Sequence, residues 1–384
     1  MIERARLARE AGSLLRQFPV VALLGARQVG KSTLARTIAA GRHAVTTFDL
    51  EHSPDLARLE DASLTLGGLR GLVVIDEVQR RPELFPTLRV LADRGQARFL
   101  LLGSASPDLL RQGSESLAGR IAYLEMSGFA LDEVGADGLR RLWVRGGFPR
   151  SFLATSERAS LTWRKNLLRT FLERDLPSLG VRVAPALLER FWKMIAHWHG
   201  ELWNGSELGR SLGLSEPTVR HYLDLLSQTF ALRVLRPFHE NLAKRQVKSP
   251  KVYVSDSGLL HALLDIRDHE QLLSHPKLGA SWEGLLLQQV VARLGAERDE
   301  CFFWRTHEGA ELDLLIVRGG RRFGFEFKRT DAPRVTPSMR HALADLGLAS
   351  IDVVHAGAET FPLAPKVRAV AAERLLLDLK PLRR

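Results

Sequence analysis

Short apolar runs, separated by helix-spaced polar segments, fill the first third of the chain. PVVALLG (residues 19–25), AVTTFDL (44–50), LVVIDE (72–77), RFLLLGSAS (98–106) and RIAYLEM (120–126) read as buried strands. Their alternation with helical segments predicts a parallel sheet covered by helices. Ahead of them, Leu7, Ala11, Leu14, Leu15 and Phe18 recur at helical spacing, a helix that packs on the domain that follows. Between about 128 and 200 the pattern turns helical, with Trp143, Trp163, Phe171 and Trp192 along it. Residues 204–265 are compatible with a helix-turn-helix and a following wing, and 266–280 (IRDHEQLLSHPKLGA) is the best linker candidate. From about 280 a helix precedes two strands, ELDLLIVR and RRFGFEFK, around Gly319-Gly320.

Composition adds three constraints. The 384 residues suffice for two or three domains, and 45% hydrophobic with 26% charged content describes an ordinary globular protein. The net charge of +11 favours contact with nucleic acid or acidic surfaces, although an Arg-rich proteome also gives basic enzymes. Cys301 is the only cysteine, which excludes an internal disulfide and a cysteine zinc cluster and fits a reducing cytoplasm. No apolar run reaches the length of a bilayer span, and the N-terminal stretch lacks a hydrophobic secretory core.

The chemistry begins at GARQVGKST, residues 25–33, which fits G-x-x-x-x-G-K-[ST] between a strand and a helix. The nine residues Gly25, Ala26, Arg27, Gln28, Val29, Gly30, Lys31, Ser32 and Thr33 form a candidate phosphate loop for ATP. Gly25 and Gly30 let the backbone curl its N–H groups toward phosphate oxygens, and the helix N-terminus favours anions. Lys31 supplies a point charge for the terminal phosphates and Ser32 a hydroxyl for Mg²⁺. LVVIDE ends in two acids: Asp76 to hold the metal's water shell, and Glu77 to polarise the attacking water. A carboxylate after the metal-binding Asp suggests hydrolysis and not only nucleotide storage. Ser104, at the end of another strand, is a candidate γ-phosphate sensor. Arg120 is a candidate phosphate contact within the subunit or across an interface, and Arg174 a weaker one. A surface salt bridge is the competing reading for both arginines.

GARQVGKSTL, LVVIDEVQRRPELFPTLRVLAD, FLLLGSAS and SLAGR together resemble a bacterial and archaeal family of AAA-type P-loop ATPases, which join that ATPase to a C-terminal region of poorly understood function. WVRGGFPRSFLA and FLERDLPSLG resemble it too. The resemblance implies an α/β fold: an AAA-like parallel-sheet core, a winged helix and a small domain resembling restriction-endonuclease folds. It also implies an arginine-finger role for Arg120. The sensor position, Asn in many AAA proteins, is here Ser104. The expected division is 1–127 ATPase core, 128–200 helical connector or lid, 201–265 winged helix and 266–384 nuclease-like domain.

In the helix-turn-helix region, SELGRSLG stops at Gly213 and Ser215 is placed as the N-cap of a second helix, with Glu216 in its first turn. Val219, Tyr222, Leu223 and Leu226 make its buried stripe, leaving Thr218, His221 and Arg220 outward, as a recognition helix presents side chains to a groove. Lys244, Arg245, Lys248 and Lys251 are expected on the wing or its loop, placed to meet DNA phosphates. The competing reading is a protein-binding module or a lid over the nucleotide.

With Gly319-Gly320 as the central pair of a two-residue turn, Arg318 falls opposite Arg321, Asp313 opposite Glu326 and Glu311 opposite Lys328. Leu312, Leu314, Phe325 and Phe327 then project to the other face, toward a core. Directly paired carboxylates repel, so a shared proton, a basic neighbour or a divalent cation must offset them. Mg²⁺ or Mn²⁺ held by Asp313 and Glu326, with Lys328 orienting water, follows D…E-x-K nuclease logic. Glu283 matches the extra acidic position that such folds carry on a first helix. The competing reading is a Glu311–Lys328 ion pair with Asp313 and Glu326 solvated.

The expectation is therefore a cytoplasmic Mg²⁺-dependent ATPase that engages DNA, with a homo-oligomer left open and no membrane contact. Its alternative is an ATP-dependent protein-interaction or signalling switch with an inactive nuclease-like domain.

Overall fold

The computed structural model describes residues 2–104, 117–179, 181–239 and 247–382. They form two compact units. The first comprises residues 1–128 with two returning segments, 175–182 and 225–231; the second comprises 129–174, 183–224 and 232–384.

In the first unit, the strands β1 (Val20–Leu24), β2 (Val45–Asp49), β3 (Gly71–Asp76), β4 (Ala97–Gly103) and β5 (Ile121–Glu125) make one sheet, ordered β2-β3-β4-β1-β5. Every neighbouring pair is parallel. All five predicted strands form. The central ones are buried along most of their length, but β2 and β5 are edge strands that bury chiefly Phe48 and Leu124. An edge strand needs an apolar face only toward the covering layer, so continuous apolar character overstates its burial. The helix Ala5–Gln17 buries Leu7, Ala11 and Leu15 and packs on β1 and on the helix Lys31–Ala40. The helix Leu84–Arg94 buries Leu84, Phe85, Leu88 and Leu91 into the core on Val73, Ile75 and Phe99. Each such side chain contributes about 1.5–3 kcal/mol by leaving water. This packing is what fixes the carboxyl ends of β1, β3 and β4 side by side.

The second unit carries one nine-stranded mixed sheet. Its strands are β6 (Glu201–Leu202), β7 (Leu232–Pro237), β8 (Lys251–Val254), β9 (Cys301–Arg305), β10 (Glu311–Arg318), β11 (Arg321–Lys328), β12 (Ser350–His355), β13 (Phe361–Ala364) and β14 (Val367–Ala371). Their order is β13-β14-β12-β11-β10-β9-β7-β8-β6. The join is β7 lying parallel to β9 through Arg236–Phe302 and Pro237–Phe303. The strands expected to form a separate wing therefore extend the C-terminal sheet, and the expected breaks at 200/201 and 265/266 fall inside this unit. The linker candidate is folded as well: Asp268 caps the helix His269–Leu273 by accepting from the Gln271 N–H, and Ile266 and Leu272 are buried. Its polar composition reflects capping and exposed positions on a short helix.

The two helices of the predicted helix-turn-helix are Gly205–Leu212 and Glu216–Gln228. Asn204 caps the first, Gly213 ends it at φ 69°, and the Ser215 hydroxyl accepts from the Thr218 N–H. Val219, Tyr222, Leu223 and Leu226 are all buried, as their spacing predicts.

Candidate functional site

The phosphate loop runs from β1 into the helix Lys31–Ala40, and two glycines shape it. A Cβ at Gly25 would collide with the Met126 carbonyl oxygen, and Gly30 sits at φ 100°. Val29 is buried beneath the loop. Arg4, which the sequence did not single out, donates to the carbonyls of Val29, Ser127 and Gly128 at 2.9–3.2 Å and ties the loop to the chain after β5. Gln28 is exposed at φ 62°, and Thr33 accepts from Arg36 at 3.3 Å.

The predicted catalytic groups converge on this loop. The Ser32 hydroxyl donates to Asp76 Oδ2 at 2.6 Å. Lys31 Nζ donates to the carbonyls of Gly25 and Ala26 at 2.9 and 3.0 Å and to the Ser104 hydroxyl at 3.2 Å. Ser104 Oγ in turn lies 3.3 Å from Glu77 Oε1. Ser104 thus touches both the loop lysine and the carboxylate predicted to activate water, because β4 lies between β3 and β1 in the sheet. Glu77 takes the left-handed backbone region at φ 55°, uncommon for a residue with a side chain. Gln79 also donates to Glu77, and Arg27 Nη2 stands 3.7 Å from it. Arg27 pairs further with Glu51 and with Asp175, a residue from a returning segment of this unit. Neither Gln79 nor Asp175 carried a recognisable signal in the sequence. Asp175 is the neighbour of Arg174, which is exposed.

Charge follows from burial and partners. Burial pushes the Lys31 ammonium down to about 8, against Glu77 and Asp76, since its hydrogen bonds go to neutral oxygens. Burial holds the Glu77 carboxyl above the usual range, against Lys31 and Arg27. Arg120 is placed elsewhere. It precedes β5, its carbonyl accepting from the Val20 N–H at the entry of β1, whereas the loop follows the exit of β1. Five strand residues, about 16 Å at 3.3 Å per residue, separate the two ends, so contact with phosphate from within the same subunit is ruled out. Arg120 instead holds the Asp93 carboxylate through Nε at 2.6 Å and Nη2 at 3.0 Å.

A second cluster occupies an open cleft of about 680 Å³ in the second unit, lined by Glu283, Glu311, Asp313, Glu326, Lys328 and Lys251 among others. Gly319 and Gly320 take φ 57° and 73°, the turn expected of them, and Arg318 pairs with Arg321. The ladder stops at Leu314–Phe325, one pair short of Asp313–Glu326. Asp313 Oδ2 accepts from the Phe327 N–H at 2.9 Å, and the β9–β10 register shifts between Leu312 and Leu315. Leu312 and Leu315 consequently share one apolar cluster with Trp304 and Met339, which corrects the expected facing of Leu312 with Leu314. Asp313 and Glu326 are nonetheless brought together, both buried and both beside Lys328 Nζ, at 3.8 and 2.7 Å.

The basic neighbours that offset these acids are lysines. Lys251, expected on an exposed wing, is buried and pairs with Glu311, with Glu283 at 3.2 Å and with Asp313 at 3.9 Å. It is the first residue of β8, whose four residues are all buried, so the strand carries it inward. Tyr253 donates to Glu283 Oε1 at 2.6 Å. Glu311 pairs with Lys251 and Arg305 and not with Lys328. Burial pushes the Glu283 carboxyl up to about 7, with Asp313 adding to it, and Glu326 up to about 8 for the same two reasons. Burial also lowers Lys251 and Lys328, but the acids around them win and hold both above the usual lysine range. Lys31 goes the other way because neutral carbonyls surround it. Among the described residues, no three His, Cys, Asp or Glu side chains stand close enough to hold a metal ion as placed.

The candidate DNA contacts divide. Thr218 is half-buried with its hydroxyl 2.8 Å from Ser215 Oγ, Arg220 is tied to Asp224 at 3.2 Å, and His221 and Lys248 are exposed. Lys244 and Arg245 lie outside the described residues. No helix among the described residues is long and apolar enough to cross a membrane.

A glycine-shaped loop after β1, with Ser32 against Asp76 at the end of β3, makes this a P-loop nucleotide hydrolase of α/β fold. Residues 17–135 match the family model of an AAA domain, 136–270 a domain of unknown function (DUF8612) and 278–375 another (DUF4143). Uncharacterised proteins of Mycobacterium bovis and Mycobacterium tuberculosis are each 50% identical to it over 379 residues, 98% of this chain and 85% of theirs. The chain belongs to this family of AAA-type ATPases with a C-terminal domain of unknown function. A Walker-type ATPase of Pyrococcus abyssi aligns with a TM-score of 0.46 at 16% identity, covering 69% of this chain and 96% of that one.

Proposed function

We propose that the chain is a cytoplasmic, Mg²⁺-dependent ATPase that engages DNA and whose C-terminal cleft cleaves DNA phosphodiester bonds with Mg²⁺ or Mn²⁺. The observation that carries the second part is the convergence of Glu283, Asp313, Glu326 and Lys328 in one cleft from a helix and two strands.

At the nucleotide site, the adjacent Ser32 hydroxyl and Asp76 carboxylate are hard oxygen donors that suit Mg²⁺. The ion would neutralise charge on the terminal phosphates. Phosphate oxygens would replace the Gly25 and Ala26 carbonyls as acceptors for Lys31, and their negative charge would favour its ammonium form further. Glu77 takes up the proton of the attacking water, and Ser104 and Arg27 hold its carboxylate. Arg120 could serve a neighbouring subunit of a homo-oligomer.

In the cleft, Asp313 and Glu326 fit one oxygen-ligated ion, since both already contact one cation, Lys328. Such an ion would polarise a phosphodiester and its attacking water. Lys328, partly exposed, would contact the scissile phosphate, and the +11 net charge supports binding the polyanion.

One observation favours a second reading, a protein-interaction or signalling switch with an inactive nuclease-like domain. Lys251 and Lys328 already pair with these acids, and Arg305 with Glu311, so part of the negative charge in the cleft is offset without a metal.

The test is ATP turnover with and without single- and double-stranded DNA, with Mn²⁺ present and the DNA run on a gel. DNA-stimulated turnover and cleavage lost in Asp313→Ala and Lys328→Ala support the first reading. Turnover indifferent to DNA, with intact DNA, favours the second.

A further inference from the structure

Lys251 enters the cleft from β8, whereas the acids come from a helix and the hairpin. It is 3% exposed, and its ammonium also stands 5.8 Å from the centroid of the Phe303 ring. A lysine this deeply buried stays charged only when carboxylates surround it, and here Glu283, Glu311 and Asp313 do. Tyr253, two residues along the same strand, fixes the Glu283 carboxylate toward it.

Asp313 is the pivot of the cluster. Its Oδ1 faces Lys251, and its Oδ2 faces Lys328 and accepts from the Phe327 N–H. Two cation positions therefore flank one carboxylate. They differ in access: the Lys328 side chain is 40% exposed and the Lys251 side chain 4%. A long exposed side chain can swing away when an ion arrives. A buried one held by three acids cannot leave without stranding them.

We propose that Lys251 is the resident cation of the cleft: its ammonium permanently fills the position between Glu283, Glu311 and Asp313, so that the cleft admits one divalent ion, at Asp313 and Glu326, and not two. This rests on reading the cleft as a metal-dependent nuclease site. Lys251 is then a positioning residue that sets metal stoichiometry. The physical argument is like-charge exclusion. A divalent ion at Glu283 would sit within contact distance of a fixed ammonium where burial leaves little water to screen them.

The experiment counts Mn²⁺ bound to the full chain without nucleotide, by calorimetry and by electron paramagnetic resonance, in an Asp76→Asn background that removes the phosphate-loop ion. One ion is expected with Lys251 intact and in Lys251→Arg. Two are expected in Lys251→Met, with the spectrum of a coupled pair, and adding Glu283→Gln returns the count to one. Lys251→Gln replaces Lys251→Met if the latter does not fold. Two ions with Lys251 intact, or one in a folded Lys251→Met chain, overturn the inference and leave the nuclease reading standing. No ion at Asp313 in any variant overturns both.

Discussion

Glu77 is a half-buried acid and Glu326 a buried one, and their neighbours give them different work. Glu77 lies among Ser104, Gln79 and Arg27 at the end of β3, with Asp76 one residue before it already engaged by Ser32. Glu77→Gln keeps the hydrogen-bonding shape and removes the proton acceptor. It is expected to bind ATP as the parent chain does and to turn it over about 10²–10⁴-fold more slowly, measured as phosphate release beside nucleotide affinity. Equal turnover would make the protein a nucleotide-locked scaffold. Glu326 is met by Lys328 and is raised to about 8 from an ordinary 4.5, burial first and Asp313 next. A carboxyl raised on folding adds stability that is complete below about pH 4.5 and is lost as pH rises toward 8. Glu326→Gln does not titrate. In chelator, its stability relative to the parent, read from melting curves, should therefore climb between pH 5 and 9, by up to about 4 kcal/mol. A difference that stays constant with pH would refute this. At this scale the sequence identified the acids. It could not identify Lys251 as their partner, because a lysine that opens a four-residue strand looks the same on a wing as in a cleft.

The most legible elements were those whose specification is local. The loop from β1 into its helix, the Ser215 cap and the Gly-Gly turn each depend on a few consecutive residues. Gly25 shows how tight that specification is. Gly25→Ala would drive its Cβ into the Met126 carbonyl oxygen and displace either the loop or the chain after β5. A loss of about 1–3 kcal/mol in stability, with impaired nucleotide binding, is expected from melting curves and nucleotide titration. An unchanged melt would mean the loop is slack. The hairpin was legible only as far as its turn chemistry reached. The pairing held from Arg318–Arg321 to Leu314–Phe325, then the bulge against β9 redirected Asp313. A bulge answers to the third strand, which the two-strand pattern does not contain.

For the molecule as a whole, the prominent disagreement with the sequence is Arg120. Strand polarity puts it at the amino ends of the strands, opposite the carboxyl ends where the phosphate loop lies, and Asp93 holds it there. A catalytic part for it therefore requires a second copy of the chain. If it has one, Arg120→Ala and Lys31→Ala are each inactive alone, and mixing them restores measurable ATP turnover, because a mixed interface pairs an intact loop with an intact arginine. A mixture as inactive as its components, or an Arg120→Ala chain of full activity, assigns Arg120 to its surface pair with Asp93. A related case is the pairing of β7 with β9 across a long stretch of chain, which composition does not report.

By itself the sequence determined the five strands of the first unit, the two hairpin strands, the paired helices within 205–228 and where the phosphate loop lies. Each of those is written within about ten neighbouring residues, through periodicity, capping or turn chemistry. The tertiary structure alone decided which strands are edges, that the wing and the C-terminal strands share one sheet, and that Lys251, Tyr253 and Arg4 belong to sites. The reason is physical. Hydrophobic pattern tells a side chain to leave water, but the charge it meets inside is set by residues that only folding brings near.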